Sequence, residues 1–329
     1  MIEKIAETIY KIEVPLPRSP LKAINSYVIK GHRRNLIVDT GMNRDECFRA
    51  LQAGLKELEV DVRETDFFIT HLHADHVGLV SHIASPSSVI YFNGPDAERL
   101  ASGIPWEEMK AFALKNGFPE NELRAALDNH PGHKYGTETQ VPFTIVQEGH
   151  VISIGKYTFH CIATPGHTKG HMCLYEPERK IFLAGDHILH DITPHIQLWT
   201  DRDNPLKDYL ESLDKVYHLD IELVFAGHRV IFNDCKQRIE QLKRHHQVRA
   251  EEITILLKNG RKSAYEVASQ MTWDINYESW DFSPVLQKWF ATGEAIAHLK
   301  YLEEQGALQK ILCGEHILYS LSQCFSAKL

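Results

Sequence analysis

The chain of 329 residues carries 36 Lys and Arg against 44 Asp and Glu, a formal net charge of −8, and its 43% hydrophobic and 24% charged residues are ordinary globular composition, which excludes a disordered or fibrous chain. A length above the usual domain of roughly 100–200 residues predicts one large domain and a small one. The acidic balance gives no bulk attraction to phosphate backbones or anionic lipid, and neither a leader-like opening nor a membrane-length apolar run is read, so a cytoplasmic protein without membrane spans is expected.

From the start to about residue 230, short β-branched runs alternate with helical patterns. TIYKIEV, INSYVIKG, NLIVDTG, DFFITHLH, SSVIYFNG, YTFHCIATPGH, KIFLAGDH and ELVFAGH each read as a strand followed by a turn, which predicts an α/β layered domain. Within it, residues 94–135 turn polar and helical, and Pro and Gly break them into two or three short helices. Such an insertion between strands is expected to form a cap beside a site. Residues 233–258 show apolar positions at helical spacing and end at Asn259-Gly260, a helix stop that closes the first domain or links it to the next. After it come a helix at SAYEVASQMT, a Trp-rich connector, a longer helix over GEAIAHLKYLEEQG, and a hairpin around Gly314. Three helices and a terminal hairpin describe a winged helix-turn-helix.

Six cysteines, Cys47, Cys161, Cys173, Cys235, Cys313 and Cys324, stand far apart with no CxxC pair. They suggest neither a zinc knuckle nor a disulfide framework, and most are expected to be buried thiols. Histidine is the unusual count, at 20. Its clustering gives it meaning. HLHADHVG follows the apolar strand DFFIT, so His71, His73, Asp75 and His76 converge at one strand's carboxyl end, and three further strands end by delivering His167, Asp186 and His228. In α/β sheets ligands bind outside the carboxyl ends of strands. Isolated buried histidines or capping aspartates would account for one or two of these seven residues, not for all of them at four strand ends. Imidazoles with a few carboxylates suit zinc first, with iron or manganese as alternatives, and seven ligands suit two ions.

Through HLHADH (71–76), TPGHTKGH (164–171), AGDH (184–187) and AGH (226–228) the sequence resembles the metallo-β-lactamase superfamily, and within it the glyoxalase II-like hydrolases, over residues 5–235. The resemblance implies an αββα sandwich, here residues 1–235, followed by a linking helix and small winged-helix domain at 236–329. It implies that His71, His73 and His167 bind one metal and Asp75, His76 and His228 the other, with Asp186 bridging. Asp39, in the IVDTG turn, would fix a ligand or loop. A hydroxide bridging the two ions would be the nucleophile, with Asp75 orienting it and taking its proton. His171 is read as structural and Cys173 as uninvolved in catalysis. Where relatives commonly read GHG, this chain reads GHRV, which makes Arg229 a candidate for binding a substrate carboxylate or phosphate.

Three activities remain open from the sequence: hydrolysis of a small thioester, ester or related acyl compound, endoribonuclease or phosphodiesterase action, and iron-dependent oxidation on the same ligand scaffold. The C-terminal pattern is similar to the winged-helix extension of lactamase-like endoribonucleases. From Glu240 onward, however, 10 Lys and Arg face 11 Asp and Glu, whereas a nucleic-acid footprint is normally basic. A small-molecule substrate is therefore favoured over RNA, and the module is expected to serve dimerisation or gating. Trp273, Tyr277, Trp280, Phe282, Trp289 and Phe290 would form its own core or an interface.

Overall fold

The computed structural model describes residues 1–136, 141–274 and 277–322. Cys324 lies outside them; of the other cysteines, Cys313 is exposed and the remaining four are buried and free. Among the described residues no helix is long and apolar enough to cross a membrane.

The chain forms two compact units, the first from residues 1–103, 131–194 and 212–239, and the second from 104–130, 195–211 and 240–329. The first holds two sheets. A seven-stranded sheet runs in chain order through β1 (Ile2–Lys4), β2 (Ile9–Pro15), β3 (Ala23–Ile29), β4 (Asn35–Val38), β5 (Thr65–Phe68), β6 (Ile90–Asn93) and β7 (Phe143–Val146). Pairing is antiparallel as far as β4 and parallel from β4 to β7. A five-stranded sheet comprises β8 (Val151–Ile154), β9 (Tyr157–Ala163), β10 (Met172–Glu176), β11 (Ile181–Gly185) and β12 (Leu223–Ala226), in the order β12-β11-β10-β9-β8.

Side-chain alternation along each strand explains the layering. In β3, Tyr27 and Ile29 join the core that also contains Phe159, Leu174, Leu183 and Phe225 of the second sheet, whereas Ile24 and Val28 point to the opposite core. Leu36 and Val38 divide from Ile37 in the same way, as does Phe68 from Phe67. The outer core is closed by Cys47, Leu51 and Leu55 of α1 (Asp45–Glu57), whose opening acids Asp45 and Glu46 and closing Lys56 suit the helix dipole. Both faces of this sheet are thus buried, so its central strands read as apolar runs as well as alternations.

Short helices follow the strand ends of the first unit: α2 (Ala74–Val77), α3 (Val80–Ile83) and α4 (Gly94–Ser102). The insertion continues with α5 (Trp106–Lys115), α6 (Glu120–Asp128) and α7 (Pro131–Lys134). Later come α8 (Pro205–Tyr217), α9 (Cys235–Leu257), α10 (Ala264–Gln270) and α11 (Val285–Glu304), then the antiparallel hairpin of β13 (Leu308–Cys313) and β14 (His316–Leu321). Ser263 and Glu266 form a reciprocal capping box at the start of α10.

Two expectations change. The middle of the insertion, α5 and α6, belongs to the second unit and not to the one that holds the two large sheets. Buried Lys288 of α11 bonds Glu122 of α6 at 3.0 Å, and the Phe118 ring meets Trp289 edge-on at 5.6 Å. The last long helix also begins at Val285, so Trp289 and Phe290, read as connector, lie within it. Trp289 is fully buried and stacks on Trp199 with ring centroids 3.6 Å apart. Phe282 and Tyr277, by contrast, are exposed, so the aromatic group is only partly a core.

Candidate metal centre

Five turns at strand ends build the site. Asp39 follows β4, Thr70 to His76 follow β5, His167 lies beyond β9, Asp186 directly follows β11, and His228 lies just beyond β12. The second sheet is tied to the first at this edge. Tyr27 Oη and Asn25 Nδ2 both donate to the carbonyl of Ala226, and the Met172 N–H donates to the carbonyl of Thr70. Gly185 is required in the turn that delivers Asp186: its φ is +49°, and a Cβ would lie 2.8 Å from His171 Nε2 and 2.9 Å from Thr70.

All seven candidate ligands read from the sequence come together. Three groups have ligand atoms within 4.8 Å of one another: His71, His73 and His167; Asp75, His76 and His228; and His71, His76 and Asp186. Asp186 faces both of the first two groups. Its Oδ1 is 3.5 Å from His76 Nε2, and its Oδ2 is 3.5 Å from both His167 Nε2 and His228 Nε2. Asp75 Oδ2 is 3.4 Å from His228 Nε2.

Hydrogen bonds behind the cluster orient the rings. Asp39 Oδ2 accepts from His76 Nδ1 at 2.7 Å and from Thr70 Oγ1 at 2.8 Å, and Asp39 Oδ1 accepts from the Thr70 N–H at 2.9 Å. Since the Thr70 hydroxyl donates to Asp39, it accepts from His71 Nδ1 at 2.9 Å. His228 Nδ1 donates to the carbonyl of Ala23 at 2.8 Å. In each ring the inner nitrogen carries the hydrogen, leaving Nε2 to face the cluster. His171 is different: its Nε2 accepts from the Asp186 N–H at 3.1 Å, which occupies the nitrogen a ligand would use.

Burial depresses His71 and His73 well below the usual imidazole range, reinforced by neighbouring imidazoles. For His228 burial also opposes charge, but Asp186 and Asp75 outweigh it and hold the ring up at about 10. His76 is raised well above its ordinary value by Asp39 and Asp186 against the same opposition. Burial works to raise Asp75, yet its contact with the His228 ring and the His76 and His228 charges hold it at about 2.

These residues fit metal ions on two counts. The buried atoms His76 Nε2, His228 Nε2 and Asp186 Oδ1 meet no hydrogen-bond partner, a costly arrangement for polar groups with nothing between them. The donors are imidazole and carboxylate, the chemistry that transition ions take and that oxygen-seeking calcium or magnesium does not.

Arg229 is not brought into these groups. Its guanidinium donates to the carbonyl of Pro20 at 2.9 Å, and its own carbonyl accepts from Asn25 Nδ2 at 3.0 Å. Cys173 is buried, bonded to the Ala184 carbonyl at 3.4 Å, and burial pushes its thiol far up. Two residues escaped the sequence reading. Thr70, next to HLHADH, relays Asp39 to His71, and Asp96, inside the helical insertion, is a fully buried carboxylate bonded to the ligand loops. Adjacency to the motif was the signal for Thr70; Asp96 had none in the sequence.

Residues 20–228 match the profile of the metallo-beta-lactamase superfamily. The chain is 26% identical over 325 residues to the probable metallo-hydrolase YqjP of Bacillus subtilis (strain 168), covering 95% of this chain and 98% of that one. It is similar to the acyl-coenzyme A thioesterase MBLAC2 of Homo sapiens, at 23% identity over 218 residues, 62% of this chain and 72% of the other. A crystal structure of a metallo-beta-lactamase family protein from Thermus thermophilus superposes with a TM-score of 0.80 at 29% identity, over 95% of this chain and 98% of that chain.

Proposed function

Because the chain belongs to the metallo-β-lactamase superfamily and is a metallo-hydrolase by its relatives and its ligand groups, we propose that it hydrolyses acyl thioesters or closely related esters with two metal ions. His71, His73 and His167 would hold one ion and Asp75, His76 and His228 the other, with Asp186 shared. Zinc is the first expectation from the donor set. When bound, the ions supply positive charge that activates water and polarises the carbonyl of the substrate. Asp75, a carboxylate within the second ligand group, would orient the attacking water and take up its proton. Asp39 and Thr70 keep His76 and His71 in the tautomers that ligation needs.

The observation that carries hydrolysis is the set of buried ligand atoms shared around Asp186. What favours an acyl thioester is the likeness to a named acyl-coenzyme A thioesterase. Arg229 is retained as a candidate for a substrate carboxylate or phosphate, reached by releasing the Pro20 carbonyl. For residues 236–329 we favour dimerisation over nucleic-acid binding, because the near-balanced charge from Glu240 onward is unlike a phosphate-reading surface.

Metal analysis and assay of the purified protein on thioester, lactone, phosphodiester and RNA substrates tests this. About two transition ions per chain and preferential thioester turnover are expected. Substantially less than one ion after reconstitution would remove the metal reading, and turnover confined to phosphodiesters would replace the substrate class.

A further inference from the structure

A carboxylate outside the ligand set joins the two loops that carry one ligand group. Asp96 lies in the first turn of α4 and is 0% exposed. Its Oδ2 accepts from the Leu72 N–H at 2.9 Å and from Thr168 Oγ1 at 2.7 Å, and its Oδ1 accepts from the Gly170 N–H at 2.9 Å. Leu72 stands between His71 and His73, and Thr168 follows His167. One side chain is therefore bonded to immediate neighbours of all three residues in that group.

The contact is built closely. Asn93 Oδ1 caps α4 by accepting from the Asp96 N–H at 2.8 Å. A Cβ on Gly170 would fall on Asn93 Oδ1 and lie 2.8 Å from the Asp96 backbone nitrogen, so only glycine lets the TPGHTKG turn seat there. A buried carboxylate is tolerated when donors surround it. Burial pushes Asp96 up to about 6, while Thr168, Gly170, Leu72 and Asn93 act in the other direction. The second group is oriented by other means: Asp39 holds His76, and the Ala23 carbonyl holds His228.

We propose that Asp96 is a positioning residue that sets the geometry of the His71, His73 and His167 group separately from that of Asp75, His76 and His228. The inference rests on the ligand assignment given above. It is tested on full-length protein by measuring zinc affinity with a competing chelator. Asp96→Asn is placed in a His228→Ala background, which leaves the first group whole, and in a His73→Ala background, which leaves the second. Affinity is expected to fall roughly 10–100-fold in the first background, as for other groups that orient ligands, and by less than about twofold in the second. Thr168→Val removes a single donor and is expected to give a smaller loss in the same background only. Urea unfolding of the chelated proteins supplies a second readout, on which Asp96→Asn should differ little between the two backgrounds. Equal loss in both backgrounds, or no loss in the first, overturns the proposal. Fewer than two zinc ions in the unsubstituted protein overturns the ligand assignment instead.

Discussion

Asp39→Asn is the sharpest test of how the ligand rings are held. Asp39 sits at φ +60°, a conformation that Asn tolerates better than most other residues with a side chain, so the backbone turn should survive. The carboxylate accepts three hydrogen bonds, two of them on Oδ2 from His76 Nδ1 and Thr70 Oγ1. An amide that keeps its oxygen toward the Thr70 N–H turns its NH2 on His76 Nδ1 and the Thr70 hydroxyl. Two buried hydrogen bonds are then lost at about 1 kcal/mol each, and a buried donor left without an acceptor adds roughly 1–3 kcal/mol. The expected loss of stability is thus about 3–5 kcal/mol. To escape the clash, His76 must give up its Nδ1 hydrogen and keep one on Nε2, the nitrogen facing Asp186. Metal affinity should fall roughly 10–100-fold for that reason. Urea titration of chelated and zinc-loaded protein gives the first quantity and chelator competition the second. Unfolding within about 0.5 kcal/mol of wild type together with unchanged zinc affinity would refute the tautomer reasoning.

Three further outcomes are expected. Asp75 and Asp186 favour the protonated form of His228, and Asp39 and Asp186 that of His76, so protons and metal compete there; zinc loading near pH 7.5 should release on the order of two protons, read with an indicator dye in weak buffer, and no release would show these rings neutral beforehand. Glu294 is partly buried, and although burial opposes its charge, the His195 hydrogen bond and the charges of His195, His298 and Arg249 hold it at about 2. Because its folded value lies below the unfolded 4.5, its contribution of roughly 3 kcal/mol is complete above pH 4.5 and lost as pH falls from there toward 2. Glu294→Gln should flatten that part of the stability profile in urea titrations, and an unaltered slope would contradict it. Trp289→Ala should cost about 3–5 kcal/mol, because a fully buried indole stacked on Trp199 leaves a cavity, and a thermal melt within a degree or two of wild type would be the contrary result.

The ligand centre was legible because it is written as short contiguous motifs at strand ends. HLHADH alone places four candidate ligands in one loop, and His167, Asp186 and His228 each follow an apolar run that reads as a strand. What supports those ligands was less visible. Asp39 was reached through its turn, but the His76 bond that gives it a role spans 37 positions, and the donors around Asp96 come from loops 24 and more residues away. Strands β1, β7 and β8 are only three or four residues long, each broken by polar residues and partly exposed, so no apolar run or period of useful length marks them. The placement of α5 and α6 was invisible for a related reason. Helical periodicity says which face is buried and not what it is buried against, and here the partner is α11, some 160 residues later.

The order in which the chain visits its two units limits how this protein can be remade. It passes from one to the other five times, after residues 103, 130, 194, 211 and 239. A truncation at residue 239 would therefore not liberate a finished module: it would leave residues 104–130 and 195–211 attached while deleting Trp289, against which Phe118 and Trp199 pack. Exchange of the second unit between relatives would require three grafts at once, and a lineage could lose it only by losing or rebuilding two internal loops as well. The two units are thus inherited, and engineered, as a single interleaved text.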